Sequence, residues 1–550
     1  MDDPVVIVGA GPVGMLLACD LLQQGVPVRL IDAARAHSAH SRATIVWPRL
    51  LELMHRTDVA ERLVQSGHRV EGVSYFSNGR SLGTAWMTRL RDTPYPFAVG
   101  IAQSTTEELI EERLTELGGK IERGTRLTAI SETDAPRPAV VLEGPDGTTE
   151  EIRPPWLVGA DGSHSTVRKL LGISFTGEQL DVSFAITDAE VTGDMPMNVV
   201  SYCYTEHGSL ALGPLGADVS RVAVSVPHPK DDTPPSREFF QSIIDQRAPG
   251  RNVLGELRFS TTFRVHARIA ERFRVGRCLL AGDSAHIMSP AGAQGMNTGL
   301  QDAVNLGWRL GGVMRKTLPE AALDGYERER TAAAHAVALS TARQTRWGFF
   351  RKPAQIALRD TVFRTAVATG VVQRAIAPLL AQTTVRYPAA DEAATGSARR
   401  RGTAVPGARL PVLPALAGGA PEPAGRSVTG TATAGWPEVA ADSFTALLWH
   451  GRRTPPDWDG VVRQVRAAAA RSETPVLEVT AAHAPLAAAL GGAPVIAVVR
   501  PDGHLLATVP ADRAAELPAV LERLRLRPEP LLAPLAASAG ARGGQVRTDE

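Results

Sequence analysis

The amino-acid sequence predicts an α/β chain: a doubly wound, Rossmann-like sheet, a mostly β insert within it, and a smaller α/β unit towards the C-terminal end. Three observations carry this expectation. An apolar run at Val5 to Val8 is followed by a glycine-spaced turn and a stretch of helical character, so the chain opens as strand, helix, strand. From about 176 to 268 short alternating stretches, such as Gly208 to Gly213 and Arg221 to Val226, are separated by Gly, Pro and Asp turns. Apolar strand character returns at Cys278 to Ala281, which implies that a distant piece completes the first sheet.

In chain order, Val13 to Gln24 reads as a helix ending at Gly25, and Val28 to Ile31 as a second strand closed by Asp32. Acidic residues and leucines at helical spacing predict a helix over Gln103 to Leu117, and Val158 to Gly162 reads as a strand running into a turn. From Met296 to about residue 388 the chain is rich in helix formers. Between 389 and 430 it turns to Ala, Gly, Pro and Arg, with Arg399, Arg400 and Arg401 in a row, the composition of an exposed connection. Beyond it follow a strand at Phe444 to Trp449, a helix over 459–471, strands near Val476 and at Val495 to Val499, a Pro501-Asp502-Gly503 turn, another strand and a final helix. The expected division is a first domain in two parts, 1–175 and 269–395, a β-rich domain at 176–268, a linker at 396–430, a C-terminal domain at 431–530 and a disordered tail at 531–550.

Composition excludes several classes of function. The 59 basic and 58 acidic residues leave a formal charge of +1, so no global field recruits nucleic acid or an anionic membrane. Cys19, Cys203 and Cys278 form no CxxC pair, so neither a disulfide framework nor a metal is expected. The N-terminus lacks a basic n-region, and no stretch approaches the roughly 20 apolar residues of a membrane span. The expectation is a soluble, cytoplasmic protein, monomer or homodimer, with a small molecule as its partner.

Gly9, Gly11 and Gly14 form G-x-G-x-x-G between strand and helix, with Pro12 at the start of the helix and Asp32 at the end of the next strand. Glycines there let backbone N–H groups approach a pyrophosphate at a helix N-terminus, and the acid meets a ribose. This half of the signal predicts a dinucleotide without separating NAD from FAD.

Two later segments separate them. Val158-Gly159-Ala160-Asp161-Gly162-Ser163-His164-Ser165-Thr166-Val167-Arg168 and Gly276-Arg277-Cys278-Leu279-Leu280-Ala281-Gly282-Asp283-Ser284-Ala285-His286 each put an Asp beside a Gly at a strand end. Both resemble, almost letter for letter, the second and third fingerprints of the class A flavoprotein monooxygenases, the para-hydroxybenzoate hydroxylase-like fold. The resemblance implies that Asp283, with Gly282, bonds the flavin ribityl chain, that the segment from Asp161 to Arg168 lies near the pyrophosphate and the path of NADPH or NADH, and that Arg42 and Gln103 touch FAD. His286 reads instead as a structural hydrogen bonder.

Pro290-Ala291-Gly292-Ala293-Gln294-Gly295-Met296-Asn297-Thr298-Gly299 is a glycine-spaced loop leading into a helix near Asn297. Backbone amides at such a helix end suit the negative rim of a reduced flavin. By resemblance the amides around Gly295, Met296 and Asn297, with Gly292 in the loop, hold the isoalloxazine, and Pro290 sits beside the carbon that takes up O2. The β insert is expected to wall the substrate pocket, with Trp47, Arg49, Tyr202, Tyr204 and His207 as candidate contacts. The C-terminal unit is similar to the thioredoxin-like domain of the longer bacterial polyketide and phenol hydroxylases. Gly492-Ala493-Pro494 stands where thioredoxins hold a cis proline, and His450-Gly451-Arg452-Arg453 stands where a redox cysteine pair would be.

The activity this implies is NAD(P)H- and O2-dependent hydroxylation of a phenolic or polyketide-type aromatic through a flavin C4a-hydroperoxide. A Baeyer–Villiger insertion into a polyketide ketone is the alternative on the same fold, with a flavin dehydrogenase or oxidase behind it.

Overall fold

The computed structural model describes residues 3–36, 43–216, 218–227, 233–388, 405–416 and 435–531. Its first sheet has six strands in the spatial order Arg274–Val275, Cys278–Leu280, Leu157–Gly159, Val5–Val8, Val28–Asp32, Ile121–Arg123. All pairs are parallel except the short Arg274–Val275 hairpin. Val5–Val8 lies between neighbours and is buried along its whole length, which is why it reads as an unbroken β-branched run. Strand order reverses about it. Val8 stands opposite both Ile31 and Gly159, and Gly159 opposite Leu280, so the carboxyl ends of these strands align on one edge. The three glycine turns of the sequence therefore leave the sheet side by side, at the crevice where such sheets take their ligands.

The helix Pro12–Gln23 packs closely on the long helix Gly295–Met314. Glycine permits the approach: a Cβ at Gly307 would collide with the Asp20 carboxylate, and one at Gly311 with the Gln24 amide.

A second sheet has eight strands, in the order His286–Ile287, Asn252–Ala270, Phe175–Gly193, Val219–Val226, Gly208–Pro214, Val199–Thr205, Gly72–Ser77, Arg80–Trp86. Two of its strands thus come from 72–86, outside the stretch that sequence texture marks as β-rich. They pair through the parallel contact of Val199–Thr205 with Gly72–Ser77. Gly72–Ser77 and Arg80–Trp86 are themselves a hairpin across Asn78-Gly79, both at positive φ, a local signal the reading passed over; only the contact with Val199–Thr205 is long-range.

The C-terminal residues form a four-stranded sheet ordered Val476–Glu478, Thr445–Trp449, Val495–Val499, Leu505–Pro510, the first pair parallel and the others antiparallel. Helix Ala484–Leu490 was not foreseen, since an Ala-rich segment offers no polar face to give periodicity. The Ala493–Pro494 bond is trans, as is every peptide bond among the described residues, which corrects the cis proline implied by resemblance. Arg399, Arg400 and Arg401, and nearly all of the expected 531–550 tail, lie outside the described residues. No helix among the described residues is long and apolar enough to cross a membrane.

Candidate active site

At the first turn the three glycines have different reasons to be glycine. Gly9 adopts φ +106°, and a Cβ there would collide with the Ala160 carbonyl; one at Gly14 would collide with the carbonyl of Gly9. A Cβ at Gly11, by contrast, would meet nothing within 4 Å. The protein's own packing thus explains the outer pair, and the middle glycine keeps an open cradle over the start of the Pro12–Gln23 helix. No side chain caps that helix, so its first N–H groups are left for an external anion. Asp32 braces the turn: its Oδ2 accepts from Ala10 N at 2.7 Å and its Oδ1 from Ala34 N at 2.7 Å.

Asp161 is a capping residue. Its carboxylate accepts from Ser165 Oγ at 2.5 Å, Thr166 N at 2.6 Å and Val167 N at 3.1 Å, opening the short helix Thr166–Leu170. Arg168 ties this fingerprint to the next by donating to the carbonyls of Ser284 at 2.9 Å and Ser163 at 2.8 Å. Asp283 is exposed at the following turn, while Gly282, at φ +65°, lies against Val13.

That turn is held by residues with no local signature. Asp302, fully buried in the long helix, accepts from Gly282 N at 2.9 Å, pairs with His286 Nε2 at 2.6 Å and accepts from Arg330 Nε at 2.5 Å. His286 is accordingly a structural partner. Arg330 also donates to the Thr298 carbonyl at 3.0 Å, so one guanidinium joins the turn to the beginning of the helix. In the sequence Asp302 and Arg330 look like ordinary polar residues of helices.

The loop from Pro290 reaches this helix through Gly292 at φ +77° and Ala293 at φ +51°. The helix begins at Gly295, and the amides of Gly295, Met296 and Asn297 occupy its first turn, where no intrahelical acceptor exists. The Asn297 side chain is fully engaged: its Nδ2 donates to Ile45 O at 2.7 Å and Ala293 O at 3.0 Å, and its Oδ1 accepts from Trp47 N at 2.8 Å. That side chain is therefore spent on the fold, and Asn297 is buried.

The substrate candidates divide. Trp47 is buried and donates through Nε1 to the carbonyls of Gly292 at 3.0 Å and Ala293 at 3.2 Å, so it shapes the loop. Tyr202 reaches the same loop, its hydroxyl accepting from Gly292 N at 3.1 Å. Tyr204 stacks beside Tyr202 on the same strand with centroids 6.4 Å apart, and Tyr75, its partner on the adjacent strand, lies 5.8 Å from Tyr202. Burial pushes the Tyr202 hydroxyl up to about 12, partly offset by the Gly292 bond, so it stays protonated near neutral pH.

Arg49 and His207 are not brought there. Arg49 is buried under the C-terminal unit, donating to Glu52 at 2.9 Å and to the Asp502 carbonyl at 2.6 Å, because a carboxylate from its own helix and a turn 453 residues away absorb its charge. His207 sits exposed in the turn between two strands, beside Glu206. Gln103 starts the helix Gln103–Glu116, donates to Glu107 at 2.8 Å and accepts from Ala43 N at 3.1 Å. Arg42 lies outside the described residues.

Residues 2–341 match the family model described as an FAD binding domain. The chain belongs to this FAD-binding family. Among its relatives, the 12-dehydrotetracycline 5-monooxygenase/anhydrotetracycline 6-monooxygenase of Streptomyces rimosus is 35% identical over 399 residues, covering 70% of this chain and 78% of that one. The rifampicin monooxygenase of Streptomyces venezuelae is 35% identical over 364 residues, 65% of this chain and 72% of the relative. Among solved structures, the OxyS anhydrotetracycline hydroxylase from Streptomyces rimosus superposes with a TM-score of 0.69 at 30% identity, covering 96% of this chain and all (100%) of that one. The chain is an FAD-dependent monooxygenase. Its fold is that of the aromatic hydroxylases, and its cofactor and oxidant are FAD and O2.

Proposed function

We propose that the monooxygenase hydroxylates a phenolic, polyketide-type aromatic, with NADPH or NADH as reductant. The observation that carries the reading is that the Gly9 turn, the Asp161–Arg168 segment and the Gly282–Asn297 region all meet at one sheet edge, where two helices present unfilled first turns. The residues fit FAD. The cradle at Gly11 and the helix amides after Pro12 would take the pyrophosphate, Asp32 the adenosine ribose, Gln103 and Arg42 further parts of the cofactor, and Asp283 the ribityl chain. When bound, FAD supplies the electron relay from the nicotinamide to O2. The chain's own part is to steady negative charge with the amides of Gly295, Met296 and Asn297, to keep Pro290 and Gly292 free of bulk, and to exclude water.

The aromatic wall of Tyr75, Tyr202 and Tyr204 over the 290–293 loop supports a flat aromatic substrate. The parallel pair followed by two antiparallel strands supports reading the C-terminal unit as a thioredoxin-like domain that has lost its redox centre, with His450-Gly451-Arg452-Arg453 in its place. The expected domain boundaries and a monomeric or dimeric state belong to the same proposal.

Two measurements test it. Asp283→Ala should purify with little or no FAD; a full complement at wild-type affinity would overturn the assignment. Phenolic and quinonoid polyketides should accelerate NADPH oxidation by the wild type, and product formed under isotopically labelled dioxygen should carry the label in a new hydroxyl rather than in an ester.

A further inference from the structure

The turn Arg500–His504 of the C-terminal sheet is inserted into the FAD-binding body, and its side chains are nearly inaccessible: Arg500 is 0%, Asp502 2% and His504 2% exposed. Arg500 grips Glu329 with both terminal nitrogens, at 2.7 and 2.8 Å, and Asp502 at 2.6 and 2.8 Å. Its guanidinium also lies over the Tyr387 ring, 4.8 Å from the centroid, and the His504 ring sits 4.4 Å from the same ring. Tyr387, 3% exposed, is thus clamped by two side chains of the turn, and its hydroxyl accepts from Arg330 Nη1 at 2.9 Å. Arg330 is the residue that also holds Asp302, and through it Gly282 N, together with the carbonyl of Thr298.

We propose that Tyr387, fixed by the turn Arg500–His504, is a positioning residue for the flavin, acting through Arg330 on the Gly282 turn and on the first turn of the Gly295–Met314 helix. A guanidinium with a planar fork directs its donors along set lines, so the Tyr387 hydroxyl fixes the angle at which the other two nitrogens present themselves to Asp302 and Thr298. The helix end meant for the flavin rim and the loop that carries Asp283 then move together or not at all. The C-terminal unit would be part of the flavin site without touching the flavin. The inference rests on the reading of these two loops as the flavin site.

The test uses the full-length enzyme and Tyr387→Phe, which keeps the ring between Arg500 and His504 and removes only the hydroxyl. Wild-type apoprotein is titrated with FAD first; failure to bind would sink the site assignment itself. With wild-type binding established, Tyr387→Phe should raise the FAD Kd about 3- to 10-fold and alter the visible absorption bands of the bound flavin. The thermal midpoint of its apoprotein should stay within about 2 °C of wild type, as expected for loss of one hydroxyl contact. His504→Gln, which leaves the hydroxyl but removes the ring packed on Tyr387, should shift the same two readouts in the same direction. An unchanged Kd and spectrum in Tyr387→Phe would overturn the proposal. So would a weaker Kd that comes with an unaltered spectrum and a large fall in apoprotein midpoint, the mark of a residue that only stabilises the fold.

Discussion

Single residues at the site separate what folding requires from what the ligand requires. Gly14→Ala should be costly to the protein itself, on the order of 2–4 kcal/mol by thermal or denaturant unfolding, because the new methyl group would overlap the Gly9 carbonyl. Gly11→Ala should leave apoprotein stability nearly unchanged, since its Cβ meets nothing and its backbone, at φ −76°, suits any residue. FAD affinity should nonetheless drop at least tenfold in a fluorescence titration, because the methyl group occupies the cradle. Equal FAD binding by Gly11→Ala and wild type would remove the pyrophosphate from that turn. Glycines of this sort were legible because their spacing is local and their neighbours are a strand and a helix. Asp302 and Arg330 were not, for a charged residue on a helix reads as solvated until the third dimension buries it. Arg49, expected as a substrate contact, is instead taken up by the Asp502 turn, which nothing near it in the chain announces.

At the scale of elements, the helix Gly295–Met314 is buried along most of its length yet carries Asn297, Asp302, Asn305 and Arg309. Each is hydrogen-bonded or ion-paired within the protein, as burial demands. Removing one charge should therefore be severe. Asp302→Leu leaves Arg330 without its buried carboxylate and Gly282 N without its acceptor, and a destabilisation of about 3–5 kcal/mol is expected by urea unfolding, with loss of bound flavin. A change under 1 kcal/mol would mean that this cluster is better solvated than its packing indicates. Period and punctuation made some elements readable, among them both strands and the helix of the opening βαβ unit, and left others such as Pro48–Met54, Val59–Ser66 and Arg237–Arg247 unnamed. Gly72–Ser77 and Arg80–Trp86 form a hairpin across Asn78-Gly79, a local signal that was passed over, and only their attachment to a strand more than a hundred residues later is non-local. Ala484–Leu490 lacked the contrast of faces on which periodicity depends.

Across the whole molecule, the C-terminal unit docks through buried charge, which makes its attachment sensitive to acid. Burial holds the His504 imidazole down at about 4, more than its neighbour Asp502 offsets. Burial alone would raise the Glu329 carboxyl, but Arg309 and Arg500 outweigh it and hold it at about 2. The signs agree. Between pH 6.5 and 4 the unfolded chain takes up a proton on His504 that the folded chain refuses, and between about 4.5 and 2 the same holds for Glu329, so stability falls as pH falls through both windows. The loss from the pair should be on the order of several kcal/mol by denaturant unfolding across the pH series. His504→Gln should flatten the upper window and spare the lower one; an unaltered slope above pH 4 would exclude His504 as its source.

The order of strands in the first sheet also dictates a timetable for biogenesis. Val5–Val8 is made before Leu157–Gly159 and must wait for it, Leu157–Gly159 in turn waits for Cys278–Leu280, and the clamp on Tyr387 waits for Arg500. Until Cys278–Leu280 has been made, a nascent chain therefore carries an incomplete parallel sheet with an apolar edge, a form prone to sticking to its neighbours. Yield from an expression host should depend on chaperone supply and on slow translation more than on the finished enzyme's resistance to heat.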